Sequence, residues 1–163
     1  MPRHLSVDES MIKAGNNASI RRAEGVDADT FLEMARAFHH EDGHPLAPCA
    51  EAAILQMLEP GFTEGLVLLL VVDGRISGYG SLSFGYGIEH GGRETFLEDL
   101  YVVPAMRAKG YGGLMCVALE EAAREAGCHA MHLEVMPGNR AERLYRRIGF
   151  SDRGSMLLTK PLS

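Results

Sequence analysis

The sequence predicts a single domain of the α/β class, and three observations carry that prediction. Apolar runs of strand length alternate with segments of helical periodicity along the 163 residues. The run LVLLLVV at 66–72 is uninterrupted, which is typical of a strand covered on both faces. A strand, a glycine-rich turn, a helix and another strand then follow one another from residue 95 to 135, in the order of a βαβ unit.

Two helices are predicted before the apolar run. Apolar residues at the spacing i, i+3, i+4 and i+7 indicate an amphipathic helix; they are Phe31, Met34, Ala35 and Phe38. Thr30 with Glu33 is expected to cap the start of this helix. Pro48 suits the first turn of a second helix, which is expected to run to about Leu58.

The remaining elements are predicted from alternation, turns and breaks. ASIRRAE at 18–24 predicts an opening strand, and DGR at 73–75 joins the apolar run to ISGYGSLSF at 76–84 in a predicted hairpin. The second half predicts, in order, strand 95–103, helix 112–126 with Gly127 as its C-cap, strand 129–135, helix 139–148 and closing strand 155–160.

Charge narrows the classes of function. The net charge of −6 is unevenly spread, since residues 1–106 hold 7 Lys and Arg against 16 Asp and Glu, whereas residues 107–147 hold 7 against 5. An acidic chain argues against nucleic acid as a partner, while a local basic segment suits a small anionic ligand. No apolar run approaches the roughly 18 residues of a membrane span, so we expect no membrane partner.

The start of the chain and the cysteines predict the compartment. Residues 1–17 lack the apolar core of a signal peptide, so we expect a flexible leader on a cytoplasmic protein. The cysteines are odd in number and follow no metal-binding pattern; they are Cys49, Cys116 and Cys128. They are expected to be reduced thiols.

The segment RAKGYGG at 107–113 places three glycines between a predicted strand and a predicted helix. Bare backbone N–H groups at a helix start favour an anion, and glycine lets a phosphate approach them. The segment lacks the Lys and Ser or Thr of a P-loop, and it lacks the third glycine and the acidic ribose partner of a dinucleotide fingerprint. We therefore expect a ligand other than a plain nucleotide.

Two motifs give the chain a family resemblance. Arg107-x-x-Gly110-x-Gly112 follows LEDLYVVP, and NRAERLYRRIGF at 139–150 comes one helix and one strand later. Together they resemble the two signatures of the GNAT family of acetyl-CoA-dependent N-acetyltransferases. The resemblance implies a GNAT-like single domain over residues 18–163, with a mixed central sheet of six to seven strands flanked by about four helices.

The resemblance also implies where acetyl-CoA binds. Successive amides of the glycine segment would face the pyrophosphate, and the pantetheine arm would pair with backbone groups of the preceding strand, where the fourth and fifth strands of the family part. The implied residues are Leu100, Tyr101, Val102, Arg107, Ala108, Lys109, Gly110, Tyr111, Gly112 and Gly113. Asn139 is implied too, although it stands two residues before Ala141 where the family usually has three.

Catalytic roles are implied at two positions. A protonated alkylamine has a pKa of about 10.4, so a base must remove its proton before it attacks a thioester. Glu98 and Asp99 are the candidates, and strict strand alternation would turn only one of them to the cleft; Glu98 resembles the base of polyamine-type members. Tyr145 matches the family's general acid. Structural roles for all three side chains remain the alternative.

The acceptor is expected to be a small cationic amine, because the acidic excess lies in the half that forms the acceptor side by resemblance. By the same resemblance HHEDGH at 39–44 borders that side, and it has neither the zincin nor the zinc-finger spacing, so we expect substrate contact there and no metal. The alternatives are an acetyltransferase of protein amino groups and a non-catalytic acyl-CoA-binding module. The resemblance also leaves a homodimer open.

Overall fold

The computed structural model describes residues 12–14 and 17–162 of the chain. Six strands and four α-helices are formed within them. The strands are β1 Ile12–Ala14, β2 Ala18–Arg22, β3 Gly65–Val72, β4 Arg75–Gly87, β5 Gly92–Val102 and β6 Ala130–Leu133; the helices are α1 Ala28–Glu41, α2 Pro48–Gln56, α3 Tyr111–Glu125 and α4 Glu142–Arg147. Short 3-10 turns at Gly25–Asp27 and Pro104–Met106 lead into α1 and follow β5.

The six strands form one mixed sheet in the order β1-β2-β3-β4-β5-β6. Neighbours from β1 to β5 pair antiparallel, whereas β6 joins β5 in parallel. A parallel pair needs a crossover connection, and α3 supplies it. The predicted βαβ unit is therefore β5-α3-β6.

Helices cover both faces of the sheet. On one face Phe31 and Ala35 of α1 pack with Leu69 and Tyr79. On the other face Leu119 of α3 packs with side chains of β3, β4 and β5. β3 therefore buries residues on both sides, as its uninterrupted apolar run predicts.

The α/β class with a mixed sheet is confirmed. The expected count of six to seven strands is not reached by the strands that the sequence predicted. Five of the six strands predicted from the sequence are formed, whereas 155–160 belongs to no strand and is exposed. β6, the last strand of the sheet, is only four residues long, and 155–160 does not pair with its outer edge. The leader predicted at 1–17 lies mostly outside the described residues; within it, Ile12–Ala14 pair with β2.

One of the predicted helix caps agrees with the structure and another does not. Gly127 follows α3 at a φ of 79° and its N–H bonds to the carbonyl of Arg124, which confirms the predicted C-cap. The cap predicted at Thr30 is wrong, because α1 begins at Ala28 with Asp27 as its N-cap. No helix in the described part of the chain is long and apolar enough to cross a membrane.

An ion pair with a buried carboxylate fixes the start of α1. The Asp27 carboxylate lies 2.7 and 2.8 Å from the two terminal nitrogens of Arg21 in β2, and it accepts the N–H of Glu24 at 2.9 Å. The hydrogen bond from Arg21 lowers the pKa of Asp27 below its usual value. This contact joins α1 to the sheet, and it sets the path of the helix towards its last turn.

We expect Asp27→Asn to lower the free energy of unfolding by about 2 kcal/mol at pH 7, because a charged hydrogen bond is lost at a buried position. The folded pKa of Asp27 lies below the unfolded value of about 3.9, so its contribution is present above that pH and is lost as the pH falls through the folded pKa. Urea unfolding at several pH values measures this.

The matched control is Asp29→Asn, which removes an exposed carboxylate from the first turn of the same helix. The difference between Asp27→Asn and the wild type should shrink towards zero in acid, while the control stays close to the wild type throughout. A difference that is unchanged in acid would show that the ionised pair is not its source.

Candidate active site

β5 extends beyond the end of its neighbour β6, which leaves one edge of β5 without a strand partner; we call this the open edge. The two strands pair in parallel from Glu94 with Ala130 to Leu97 with Leu133, where β6 ends. β5 itself continues to Val102, paired on its other side with β4. Residues 98–102 therefore have one sheet edge without a strand partner among the described residues.

The direction of the backbone groups along this edge follows from one hydrogen bond. The N–H of Val103 donates to the carbonyl of Ser77 on the β4 side at 2.9 Å. In an antiparallel pair, alternate residues direct both backbone groups to the same neighbour. Tyr101 therefore faces β4, and Leu100 and Val102 present their N–H and C=O groups to the open edge.

This alternation divides the three strand residues that the resemblance implies. Leu100 and Val102 direct their backbone groups to this edge, where an extended ligand could pair with them, although the Val102 carbonyl accepts from Arg107. Tyr101 turns its backbone to β4 and buries its ring, which is 5% exposed, in the cluster beneath α1. A backbone contact from Tyr101 is thus not available at the open edge.

The segment after β5 carries a row of backbone donors. The first α-helical bond of α3 is donated by Leu114 to Gly110. Within the described part of the chain, none of the N–H groups from residue 108 to 113 donates to a backbone or side-chain acceptor. Ala108 and Gly110 have φ of 60° and 87°, and such left-handed residues curve successive N–H groups into an anion-binding concavity. The free amides expected from the sequence are present, and their binding of an anion stays a prediction.

The two cations of the segment differ in their surroundings. Arg107 donates to the Val102 carbonyl at 2.8 Å and to both carboxylate oxygens of Glu41 at 2.8 and 3.0 Å. The Lys109 ammonium is exposed, and its nearest partner is the sulfur of Met106 at 3.7 Å. Arg107 therefore joins the end of α1 to the end of β5, and Lys109 is the cation left to meet an anion.

The two glycines of the motif serve different purposes. Gly110, with its left-handed backbone, is the N-cap of α3. A Cβ on Gly112 would instead lie 3.3 Å from Cδ2 of Leu144. A side chain at 112 would thus contact α4 before it met a ligand at the amides. Packing against α4, and not only the approach of a phosphate, therefore favours glycine at this position.

A β-bulge corrects the prediction that only one of Glu98 and Asp99 faces the cleft. Ser81 pairs with Asp99 and Leu82 with Leu97, so Glu98 is an extra residue in β5. Ser83 donates to Glu98, while Tyr79 donates to Asp99 at 2.8 Å. Tyr79 and Ser83 are four apart on one strand and share a face, so both carboxylates lie on the α1 side of the sheet.

Asp99 is embedded in a hydrogen-bonded trio that the sequence did not reveal. Besides the Tyr79 hydroxyl, the Nε2 atom of His39 lies 3.2 Å from the same carboxylate oxygen. Burial and the neighbouring Asp99 raise the pKa of Tyr79, so Tyr79 stays protonated as a donor. Tyr79 carried no sequence signal, whereas His39 belongs to HHEDGH, the segment expected to border the site.

Glu98 differs from Asp99 in access. Its side chain is exposed at the bulge, whereas that of Asp99 is 15% exposed beneath His39. A group that enters from the open side therefore reaches Glu98 first. Asp99 is better placed to orient His39 and Tyr79 around it.

Tyr145 projects from α4 towards the α3 side of the sheet. It packs against the cluster that holds Leu97 and Leu119, with its ring centroid 5.9 Å from that of Phe150. Burial raises the pKa of Tyr145 to about 12. No buried side-chain oxygen or nitrogen of the described residues lacks a partner, and the Tyr145 hydroxyl bonds to no protein group there, so it reaches the surface.

Asn139 caps the turn before α4. Its side-chain oxygen accepts the N–H of Ala141 at 2.9 Å, and its carbonyl accepts the N–H of Glu142 at 3.1 Å. The N-cap of α4 itself is Ala141, without a side-chain cap, so Asn139 closes the turn that leads into the helix carrying Tyr145.

Several acidic side chains of the half expected to form the acceptor side are paired with arginines. Glu51 pairs with Arg36, Glu89 with Arg153 and Glu41 with Arg107. The carboxylates of Glu98 and Asp99 have no such Lys or Arg partner among the described residues. The negative charge left at the open edge is therefore concentrated on this pair.

Comparison with known proteins places this architecture. The acetyltransferase (GNAT) family matches residues 30–150. The chain is similar to a thialysine N-epsilon-acetyltransferase of Mus musculus, 36% identical over 146 residues that cover 82% of this chain and 84% of the relative. It is 34% identical over 130 residues to the Bos taurus enzyme of that name, with 79% of this chain covered, and it spans only 64% of that relative's length.

Solved structures share the fold. An integron cassette protein from a salt-marsh metagenome superposes with a TM-score of 0.75 at 26% identity, covering 88% of this chain and 90% of that one. An aminoglycoside acetyltransferase from an uncultured soil sample does so with a TM-score of 0.75 at 16% identity, covering 93% and 100%. The match over most of the chain, together with the open strand edge and the amides beside it, makes this protein a member of the acetyltransferase (GNAT) family.

Proposed function

We propose that this protein is an N-acetyltransferase that moves the acetyl group of acetyl-CoA to a primary amine with a positive charge. The observation that carries the proposal is the adjacency of two sets of backbone groups without a strand or helix partner, those of Leu100 and Val102 at the strand edge and the N–H groups of residues 108–113 at the start of α3. One set suits an amide-bearing arm and the other suits a pyrophosphate.

The donor would be held mainly by main-chain groups. The amides of residues 108–113 would bind the pyrophosphate, with Lys109 adding charge. Leu100 and Val102 would pair with the pantetheine amides, although the Val102 carbonyl already accepts from Arg107. Bound acetyl-CoA supplies the thioester whose acetyl carbon is attacked, and a free N–H of the edge would stabilise the charge that develops on the carbonyl oxygen.

Glu98 is the proposed base. It would take a proton from the ammonium of the acceptor, directly or through a water, and the free amine would then attack the thioester carbon. Its exposure at the bulge gives an acceptor access to it. Asp99, held by Tyr79 and His39, would add negative charge beside the incoming cation, and it remains the second candidate for the base.

Tyr145 is the proposed acid. When the carbon–sulfur bond breaks, the thiolate would receive a hydrogen bond and a proton from the phenol. A pKa of about 12 keeps that phenol protonated at every pH at which the enzyme would work. The Tyr145 side chain would thus always be ready to donate.

The acceptor proposed here is an amine of the thialysine type. The named activity of the mammalian relatives is thialysine N-epsilon-acetylation, and a terminal ammonium on a flexible chain suits the Glu98–Asp99 pair. Spermidine-like and aminoglycoside amines remain in the same cationic class. An acetyltransferase acting on protein amino groups would use the same donor site, and a non-catalytic module would bind acetyl-CoA without turning it over.

The proposed function is tested by thiol release from acetyl-CoA with thialysine, lysine, spermidine, an aminoglycoside and an anionic amino acid as acceptors. Thiol should appear with thialysine and the other cationic amines in preference to the anionic one. Glu98→Gln should lower kcat by about 10²-fold or more, while Ser83→Ala, which removes only a hydrogen-bond partner of Glu98, keeps most of it. Donor binding without release from any acceptor would favour the non-catalytic module.

A second prediction concerns the donor site. Gly110→Ala should weaken acetyl-CoA binding by about tenfold, because a Cβ disfavours the left-handed backbone that directs the amides. Gly127→Ala is the matched control, since it carries a similar strain of φ 79° at the other end of α3. Calorimetry on both folded variants should show weaker acetyl-CoA binding only for Gly110→Ala. Equal affinities of the two variants would show that the amides do not bind the donor.

A third prediction concerns Tyr145. Tyr145→Phe should lower kcat more than it raises the KM for acetyl-CoA, because packing is kept and only the hydroxyl is lost. A phenol with a pKa of about 12 does not titrate below pH 10, so the ratio of wild-type to variant kcat should stay constant from pH 6 to pH 10. A ratio that falls to one as the pH rises would mean that the phenol ionises in that range.

A further inference from the structure

We propose that His90, Glu94 and His132 form a binding site for a divalent metal ion of the Zn²⁺ type. The three side chains offer one ligand atom each, and these atoms lie within 4.8 Å of one another. This is the one group of three such residues within the described part of the chain that meets this criterion. Two imidazoles and a carboxylate are a ligand set that zinc uses when it keeps a fourth position for water.

The three ligands come from different parts of the fold and converge on one face. Glu94 lies on β5 and His132 on β6, two residues along from Ala130, the residue that pairs with Glu94. His90 comes from the turn between β4 and β5. Met131 and Leu133 face α3, so His132 lies on the opposite face, which is also the face of Glu98.

The distances fit metal ligands better than they fit hydrogen bonds. The Nδ1 atom of His90 lies 3.2 Å from Oε2 of Glu94, and the Nε2 atom of His132 lies 3.4 Å from the same oxygen. Hydrogen bonds from an imidazole to a carboxylate are usually about 2.7–2.9 Å long. Ligands at about 2.1 Å from a tetrahedral zinc are separated by about 3.4 Å. Both distances from the carboxylate oxygen are thus close to the edges of a tetrahedral coordination shell, and the two imidazole ligand atoms lie within 4.8 Å of each other.

The surroundings hold the ligands in this arrangement. A Cβ on Gly87, across the hairpin from β5, would lie 2.1 Å from Oε2 of Glu94, so a side chain at 87 would move the carboxylate away from this position. The ring of His129 contacts the carbonyl of His90 at 3.0 Å, which fixes the turn. The three ligand side chains are 28–30% exposed, which gives an ion access from solvent.

The site is separate from the proposed acetyl-transfer machinery. Glu94 stands four residues before Glu98 on β5, about 13 Å along the strand. An ion bound there would tie the β4–β5 turn to β6, the strand whose end defines the open edge. We therefore assign the metal a stabilising role and no part in the transfer step.

The test is titration of the apo-protein with Zn²⁺, followed by calorimetry and by competition with a chromophoric chelator. The Cys49→Ser background removes an exposed thiol that could bind zinc by itself. One ion per chain should bind, and the apparent thermal midpoint should rise with zinc. Substitution with Co²⁺ should give the strong visible absorption of a four-coordinate ion, in place of the weak bands of the aqueous one.

Variants separate this site from adventitious binding. His90→Ala, in the turn, and His132→Ala, on β6, should each weaken Zn²⁺ binding by tenfold or more, and both should abolish the thermal shift. His44→Ala removes an exposed imidazole elsewhere and should bind as the background does. The proposal is overturned if His90→Ala binds zinc like the control, or if the background protein binds no ion in the micromolar range. Circular dichroism shows that each variant is folded.

Discussion

The pairing between β5 and β6 ends at Leu97, while β5 runs on to Val102. Hydrogen-bond satisfaction makes this the constraint on which the rest of the site depends, since backbone groups without a strand partner must find one in water or in a ligand. The bulge at Glu98 lies at the same point, where it changes the side-chain register of the strand. One irregularity in β5 thus coincides with both the free edge and the two carboxylates beside it.

Arg107 shows how side chains hold this irregular region together. It contacts the end of β5 through the Val102 carbonyl and the end of α1 through Glu41. Its guanidinium also lies 5.4 Å from the centroid of the Tyr101 ring. The Asp27–Arg21 pair fixes the other end of α1. The helix that brings His39 to Asp99 is therefore held at both ends, which gives the carboxylates a defined setting.

Much of this could be predicted from the sequence where the signal is local. The uninterrupted run of β3, the glycine that ends α3 and the order β5-α3-β6 all follow from spacing and residue type. The donors of residues 108–113 follow from the glycines in the same way. The closing strand at 155–160 was wrong, because an apolar stretch joins a sheet only where the tertiary fold brings it alongside a strand, and its own residues do not show whether that happens.

The site side chains were harder to predict because they depend on register. A single extra residue in β5 turns Glu98 and Asp99 to the same face, which strict alternation forbids. No residue type in FLEDLYV indicates this bulge. Tyr79 and His39 meet Asp99 from 20 and 60 positions away. The motif indicated that Gly112 contacts a phosphate, whereas a Cβ added at this position would point towards Leu144.

The parallel attachment of β6 also bears on the order in which the chain folds. β3, β4 and β5 are joined by short turns, so their contacts close at little entropic cost, while β6 must wait for the whole of α3 to cross over. The antiparallel strands can therefore assemble before the residues that follow Val102 are in place. Tyr145 lies among those late residues. We therefore expect the antiparallel sheet of a nascent chain to form before the site is complete.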